Sequence, residues 1–231
     1  MLSDQFFSEI EKENYLKLVS FYMPFFLDEK ETRVFIDRMQ TIDPKNRIPF
    51  QMINQVERFV TLAEDIEKIR PARDGLRIVF IKACMESLVY LGNEDKTSFY
   101  IKLAACFSNE GKTYILSHFT LTGFKQTCHN DTYWDPHDLS IDEFLRVIKA
   151  ARDRTVHDGV YWETQFFARD DDSIWVTTLN TKDKILSDYQ YSKKEIIEYR
   201  FETTLQFSRF IHYFVEACIN YITKYVDDIA K

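Results

Sequence analysis

The residues best suited to chemistry stand together in one run, Ala151-Arg152-Asp153-Arg154-Thr155-Val156-His157-Asp158-Gly159. A histidine titrates near neutral pH, so His157 can take or give a proton under physiological conditions. A guanidinium keeps its charge and offers a planar fork of donors to phosphate oxygens, which suits Arg152 to an oxyanion. Asp153 lies four residues before His157 and can orient it from the same helix face. Lys149 and Arg154 add positive charge that can guide a phosphate. The plainer reading of the same residues is also physical. Arg152 sits in an ion pair with Asp153 or Asp158, and a charged His157 stabilises a helix C-terminus through the helix dipole.

The element that positions this run opens at Ser140, a good N-cap, with Glu143 three residues on to complete a capping box. Apolar residues then recur at Ile141, Phe144, Leu145, Ile148 and Ala151, which is helical spacing. With Ile141 at zero, Arg152 falls at about 20°, on the apolar arc, Asp153 at about 120° and His157 at about 160°. A guanidinium on an apolar face needs an anion to meet it. Arg152 and His157 therefore diverge on one ideal helix. They meet only if the helix end deforms or if two copies pack together.

The run resembles the Arg-x4-6-His signature of the HEPN-domain ribonucleases. The polar residue after the arginine is Asp153, a small apolar residue (Val156) precedes the histidine, and Gly159 follows one place later than is usual there. The resemblance covers the motif and its two flanking helices. It implies a HEPN-like helical bundle and metal-independent cleavage of RNA by 2′-OH attack, leaving a 2′,3′-cyclic phosphate and a 5′-OH. By the same resemblance, Arg152 stabilises the phosphate, His157 acts as acid or base and Asp153 supports it. Lys149 and Arg154 are candidate RNA-binding residues. A homodimer with a composite site at the interface, an antitoxin protein partner, and a setting in toxin–antitoxin or antiviral defence are implied as well. Two rival readings stay open. One is a non-catalytic HEPN-like module that binds a nucleotide or a protein. The other is a helical protein whose motif is coincidence, which predicts a monomer with Arg152 paired to a local carboxylate.

Composition bounds these readings. The chain has 231 residues, 45% hydrophobic, with 20 Phe and 13 Tyr but only 5 Gly and 5 Pro, a balance that favours long helices over a turn-rich β sandwich. A net charge of −7 argues against a broad basic surface for nucleic acid and leaves room for a small basic site. No signal peptide or uninterrupted membrane span is visible, and the cysteines Cys84, Cys106 and Cys218 sit on apolar helical stretches, so a cytoplasmic protein with no membrane partner is expected. No cofactor or metal is called for: there is no Gly-rich phosphate loop and no His-Glu-x-x-His. Cys128, His129, Asp135 and His137 match no standard zinc spacing and read as a polar loop.

In chain order, the pattern predicts a first helix ending at Pro24, a second opening at Asp28 or Glu29, a third over Phe50–Ile69 and a nearly all-apolar one over Ala72–Leu91 capped by Gly92. Arg73, Arg77, Lys82 and Glu86 interrupt that last one too often for a membrane span. Helices follow over Lys96–Phe107 and, after a turn at Asn109–Gly111, through Phe119. Thr120–Leu139 reads as irregular. Trp162–Ala168 and Ile174–Leu179 read as a β hairpin around the acidic turn Asp170–Asp172. A capping box at Ser192 and Glu195 then opens one long helix to about Ile229. The whole is expected to be a single, mainly α domain with a small β-hairpin insertion, and residues 1–70 are a possible helical extension.

Overall fold

The computed structural model describes residues 2–126, 137–159, 165–168, 174–187 and 196–230. The chain is mainly helical. Helix α1 (Leu2–Tyr22) gives way to a short 3₁₀ turn containing Pro24, whose missing N–H and ring end the regular ladder. Helix α2 (Glu29–Thr41) opens where the Asp28 carboxylate accepts the Glu31 N–H at 2.8 Å. Helix α3 (Ile48–Ile69) has Pro49 in its first turn, and helix α4 (Asp74–Leu91) stops at Gly92. Helices α5 (Lys96–Cys106) and α6 (Asn109–His118) follow. The expected turn at Asn109–Gly111 is the first turn of α6 instead, because the Ser108 hydroxyl accepts the Gly111 N–H and caps it.

The β content differs from expectation. A three-stranded antiparallel sheet replaces the small hairpin, with strands β1 (Phe119–Gln126), β2 (Trp175–Thr181) and β3 (Ile197–Thr203) in the order β1-β3-β2. The stretch expected to start one long helix at Ser192 is strand β3 from Ile197, and helix α8 runs only over Phe207–Ile229. Ile197, Tyr199, Phe201 and Thr203 face inward while Arg200 stays exposed, so the segment alternates with period two. Ile197, Phe201 and Leu205 also fit a helical spacing, but pairing on both edges satisfies the backbone of β3 and decides for the strand. Thr203 closes it. Its hydroxyl accepts the Leu205 N–H at 3.0 Å and lies 3.0 Å from the His118 and Phe166 carbonyls. Of the first half of the expected hairpin, Gln165 hydrogen-bonds through its backbone to the Thr177 hydroxyl of β2, and Ala168 bridges to Gln206 instead. The Asp170–Asp172 turn, Ser192, Glu195, Cys128, His129 and Asp135 lie outside the described residues.

One hydrophobic cluster joins the elements. Leu18, Ile36, Met39 and Val56 of the first three helices belong to it together with Ile81, Ile148 and Phe214. The Tyr22 hydroxyl donates to the Ile53 carbonyl at 2.8 Å and ties α1 to α3. Between sheet and helices lies an aromatic stack. Phe119 of β1 is 5.1 Å, centroid to centroid, from both Phe201 of β3 and Phe144 of the motif helix, and Phe144 is 5.6 Å from Phe210 of α8. Among the described residues no helix is long and apolar enough to cross a membrane.

Candidate functional site

Helix α7 (Ile141–His157) carries the motif and is held firmly at its start. The expected capping box forms between Ser140 and Glu143. The Glu143 carboxylate accepts the Ser140 N–H at 3.0 Å and the Ser187 N–H at 2.7 Å, and His137 Nε2 lies 3.5 Å away. Burial pushes this carboxyl up, but the Ser140 and Ser187 N–H groups, the Ser140 hydroxyl and His137 together outweigh burial and hold it below the usual range. Phe144, Leu145, Ile148 and Ala151 are fully buried, as the helical spacing demands.

The far end of α7 is a ladder of charges. Arg152 lies on the side toward α4. Its Nη2 is 3.4 Å from Glu86 Oε2, and its Nη1 donates to Asp153 Oδ1 at 2.8 Å. The other Glu86 oxygen receives Lys82 Nζ at 3.1 Å. Asp153 Oδ2 receives Lys149 at 2.9 Å, and Lys149 also reaches Asp183 at 2.9 Å. Burial opposes the charge of Lys149, yet Asp183 and Asp153 raise its pKa. Burial likewise pushes Asp153 up, and Lys149 with Arg152 more than reverse it, so this carboxyl stays ionised below the usual range. Both Asp153 oxygens are thus occupied by cations, and the carboxylate orients Arg152 and Lys149. Arg154 donates to Asp158 at 2.6 Å.

His157 is exposed at the mouth of a cleft of about 430 Å³. One wall is the last turn of α7, with Asp153, Arg154 and Asp158. The other is the end of β2 and the loop after it, with Asn180, Lys182 and Asp183. Arg152 does not line this cleft. Within one chain the structure therefore brings Asp153, Arg154 and His157 to a common cleft and turns Arg152 away toward α4, in line with the angular divergence of Arg152 and His157.

Two sets of residues at this site were not singled out from sequence. Asn180, Lys182 and Asp183 belonged to a segment read only as a hairpin arm and its exit, and nothing in the sequence aims them at α7. Lys82 and Glu86 were read as interruptions of an apolar helix. Their i,i+4 spacing on a helix that is otherwise apolar nearly all round is the signal that an ion pair faces another element there. The described residues hold no group of three or more His, Cys, Asp or Glu placed for a metal ion. His118 stacks on Tyr114 at 4.2 Å and His212 on Phe25 at 5.0 Å, both away from the cleft.

No protein-family model, no curated protein and no solved structure matches this chain.

Proposed function

We propose that the chain is a HEPN-type endoribonuclease that cleaves RNA without a metal ion and works as a homodimer. The observation that carries this reading is the exposed His157 at the mouth of a cleft walled by Arg154, Asn180 and Lys182, five residues after Arg152 on a capped helix. A single strand of RNA laid in the cleft meets a proton-transfer group, the cations Arg154 and Lys182 for its backbone and the Asn180 amide for a base. In the reaction the ribose 2′-oxygen attacks the adjacent phosphorus and the bond to the 5′-oxygen breaks. His157 takes the 2′-OH proton or supplies one to the departing 5′-oxygen. Arg152 neutralises charge on the phosphorane. Because Arg152 and His157 diverge on one helix, the Arg of one copy serves the His of the other across the dimer. A toxin–antitoxin or antiviral setting, with an antitoxin partner, belongs to the same proposal.

Purified protein is incubated with mixed single-stranded RNA in EDTA, alongside His157→Ala and Arg152→Ala. Cleavage by the wild type alone, leaving cyclic phosphate ends, is the expected result. Equal cleavage by all three overturns the assignment.

A second reading has its own support. Arg152 is already held by Asp153 and Glu86, the local carboxylate pairing that a helical protein with a coincidental motif predicts. A monomer with no cleavage by any variant favours it, and a stable dimer that binds RNA or a nucleotide without cleaving favours a non-catalytic module instead.

A further inference from the structure

The α4–α7 contact contains an anion site that is filled from within. Glu86 is bracketed by two cations, Lys82 Nζ at 3.1 Å and Arg152 Nη2 at 3.4 Å. Lys82 is 5% exposed and its ion-pair partner is Glu86. The Arg152 Nε is buried and, among the described residues, has no hydrogen-bond partner. The arrangement thus holds more donors than the single carboxylate uses, and an unused buried N–H is a costly thing to keep. Glu86 itself is not locked in. Its side chain is 37% exposed and borders a groove of about 430 Å³ between α3 and α4, with Gln51, Gln55 and Ser87 as neighbours that can hydrogen-bond a displaced carboxylate.

We propose that Glu86 is an internal stand-in for a substrate phosphate. An RNA backbone phosphate displaces it into the α3–α4 groove and takes Lys82 and Arg152 as its ligands. A phosphate has more acceptor oxygens than a carboxylate and so can engage the Arg152 Nε together with the terminal nitrogens and Lys82. Burial lowers the Lys82 pKa, with Glu86 opposing that effect. An entering phosphate maintains the opposition when Glu86 leaves. Glu86 is then a gate that sets the affinity for RNA, and Lys82 a phosphate-binding residue. The identity of the anion as RNA rests on the ribonuclease reading, whereas the existence of the anion site does not.

The test is binding of inorganic phosphate to the full-length protein by titration calorimetry, with wild type, Glu86→Gln and the double variant Glu86→Gln/Lys82→Met. Removing the competing charge while keeping the shape is expected to tighten phosphate binding by about tenfold in Glu86→Gln, on the scale of one charge-assisted contact. The double variant is expected to lose that gain. In a His157→Ala background, which leaves the RNA intact, Glu86→Gln is expected to tighten single-stranded RNA binding in the same direction. Phosphate affinity in Glu86→Gln that equals or falls below wild type overturns the proposal. Loss of packing adds no new partner for an anion, and a gain that disappears with Lys82→Met traces to the Lys82 ammonium beside Glu86. The two readings fail separately. Tighter phosphate binding without RNA cleavage by any variant keeps the anion site and removes the nuclease. RNA cleavage by the wild type with no change in affinity on Glu86→Gln does the reverse.

Discussion

Helix α4 carries two charged clusters about two turns apart, and they differ in what surrounds them. At its start, Asp74 is 4% exposed, accepts the Phe167 N–H at 3.2 Å and pairs with Arg77 Nη1 at 3.3 Å. The Arg77 guanidinium lies 3.4 Å above the centre of the Phe207 ring. Aromatic residues close this cluster on the α8 side, and it ties α4 to the segment after α7. Farther along, Lys82 and Glu86 meet Arg152, and the ladder of charges continues through Asp153 and Lys149 to Asp183 at the cleft. Charge on a buried helix is therefore not by itself a mark of function. The cluster that leads to an open cleft is the functional candidate, and the one at the start of α4, packed on Phe207 and completed by the partly exposed Glu67 at 3.4 Å from Arg77 Nη1, is structural.

This contrast can be broken by substitution. Asp74→Ala leaves Arg77 buried beside Phe207 without its main anion and the Phe167 N–H without an acceptor. It is expected to destabilise the fold by about 3 kcal/mol, read as a fall in the unfolding midpoint. Lys82→Met removes a buried charge and leaves Glu86 both half-exposed and paired with Arg152. Its stability is expected to stay within about 1 kcal/mol of wild type. A loss as large as that of Asp74→Ala would erase the distinction between the clusters.

Acid should separate them by sign. Burial raises the Asp74 pKa in the fold, with Arg77 opposing. Its ionised form costs stability, and that cost is relieved as pH falls through the raised folded value toward the ordinary carboxylate value of about 4. Asp153 behaves in the opposite way. Its folded pKa is depressed despite burial, so its contribution is present above about pH 4 and is lost as pH falls through the folded value. Denaturant unfolding measured from pH 7 to pH 3 is expected to show less acid-side loss in Asp153→Asn and more in Asp74→Asn. The smallest effect belongs to Arg154→Ala. Its pair with Asp158 is partly exposed on both sides, so stability should move by less than about 1 kcal/mol while RNA affinity falls.

Much of the motif helix was legible because its determinants are local. Ser140 and Glu143 mark its start, and the spacing of Phe144, Leu145, Ile148 and Ala151 marks its buried face. Pro24, Asp28 and Gly92 likewise act within a turn or two of themselves. Strand β3 was not legible, because Ile197, Phe201 and Leu205 satisfy a helical period as well as Ile197, Tyr199 and Phe201 satisfy a strand's. Only its two neighbours in the sheet decide between them. Strand β1 failed for a related reason: Gly123 follows a bulge after Leu121 and interrupts the alternation. Of the two carboxylates on Arg152, the adjacent Asp153 was legible as an ion-pair partner, whereas Glu86 lies 66 residues away on α4 and no local pattern points there. The divergence of Arg152 and His157, by contrast, follows from helical geometry alone.

That divergence makes the central claim testable in one mixture. Arg152→Ala and His157→Ala are purified separately, combined, allowed to exchange subunits and assayed for RNA cleavage in EDTA. Each variant alone is expected to be inactive, and the mixture to regain activity, because one mixed dimer site then holds an intact Arg152 from one copy and an intact His157 from the other. Wild-type cleavage with a mixture as inactive as its components would contradict a site shared between two copies of α7.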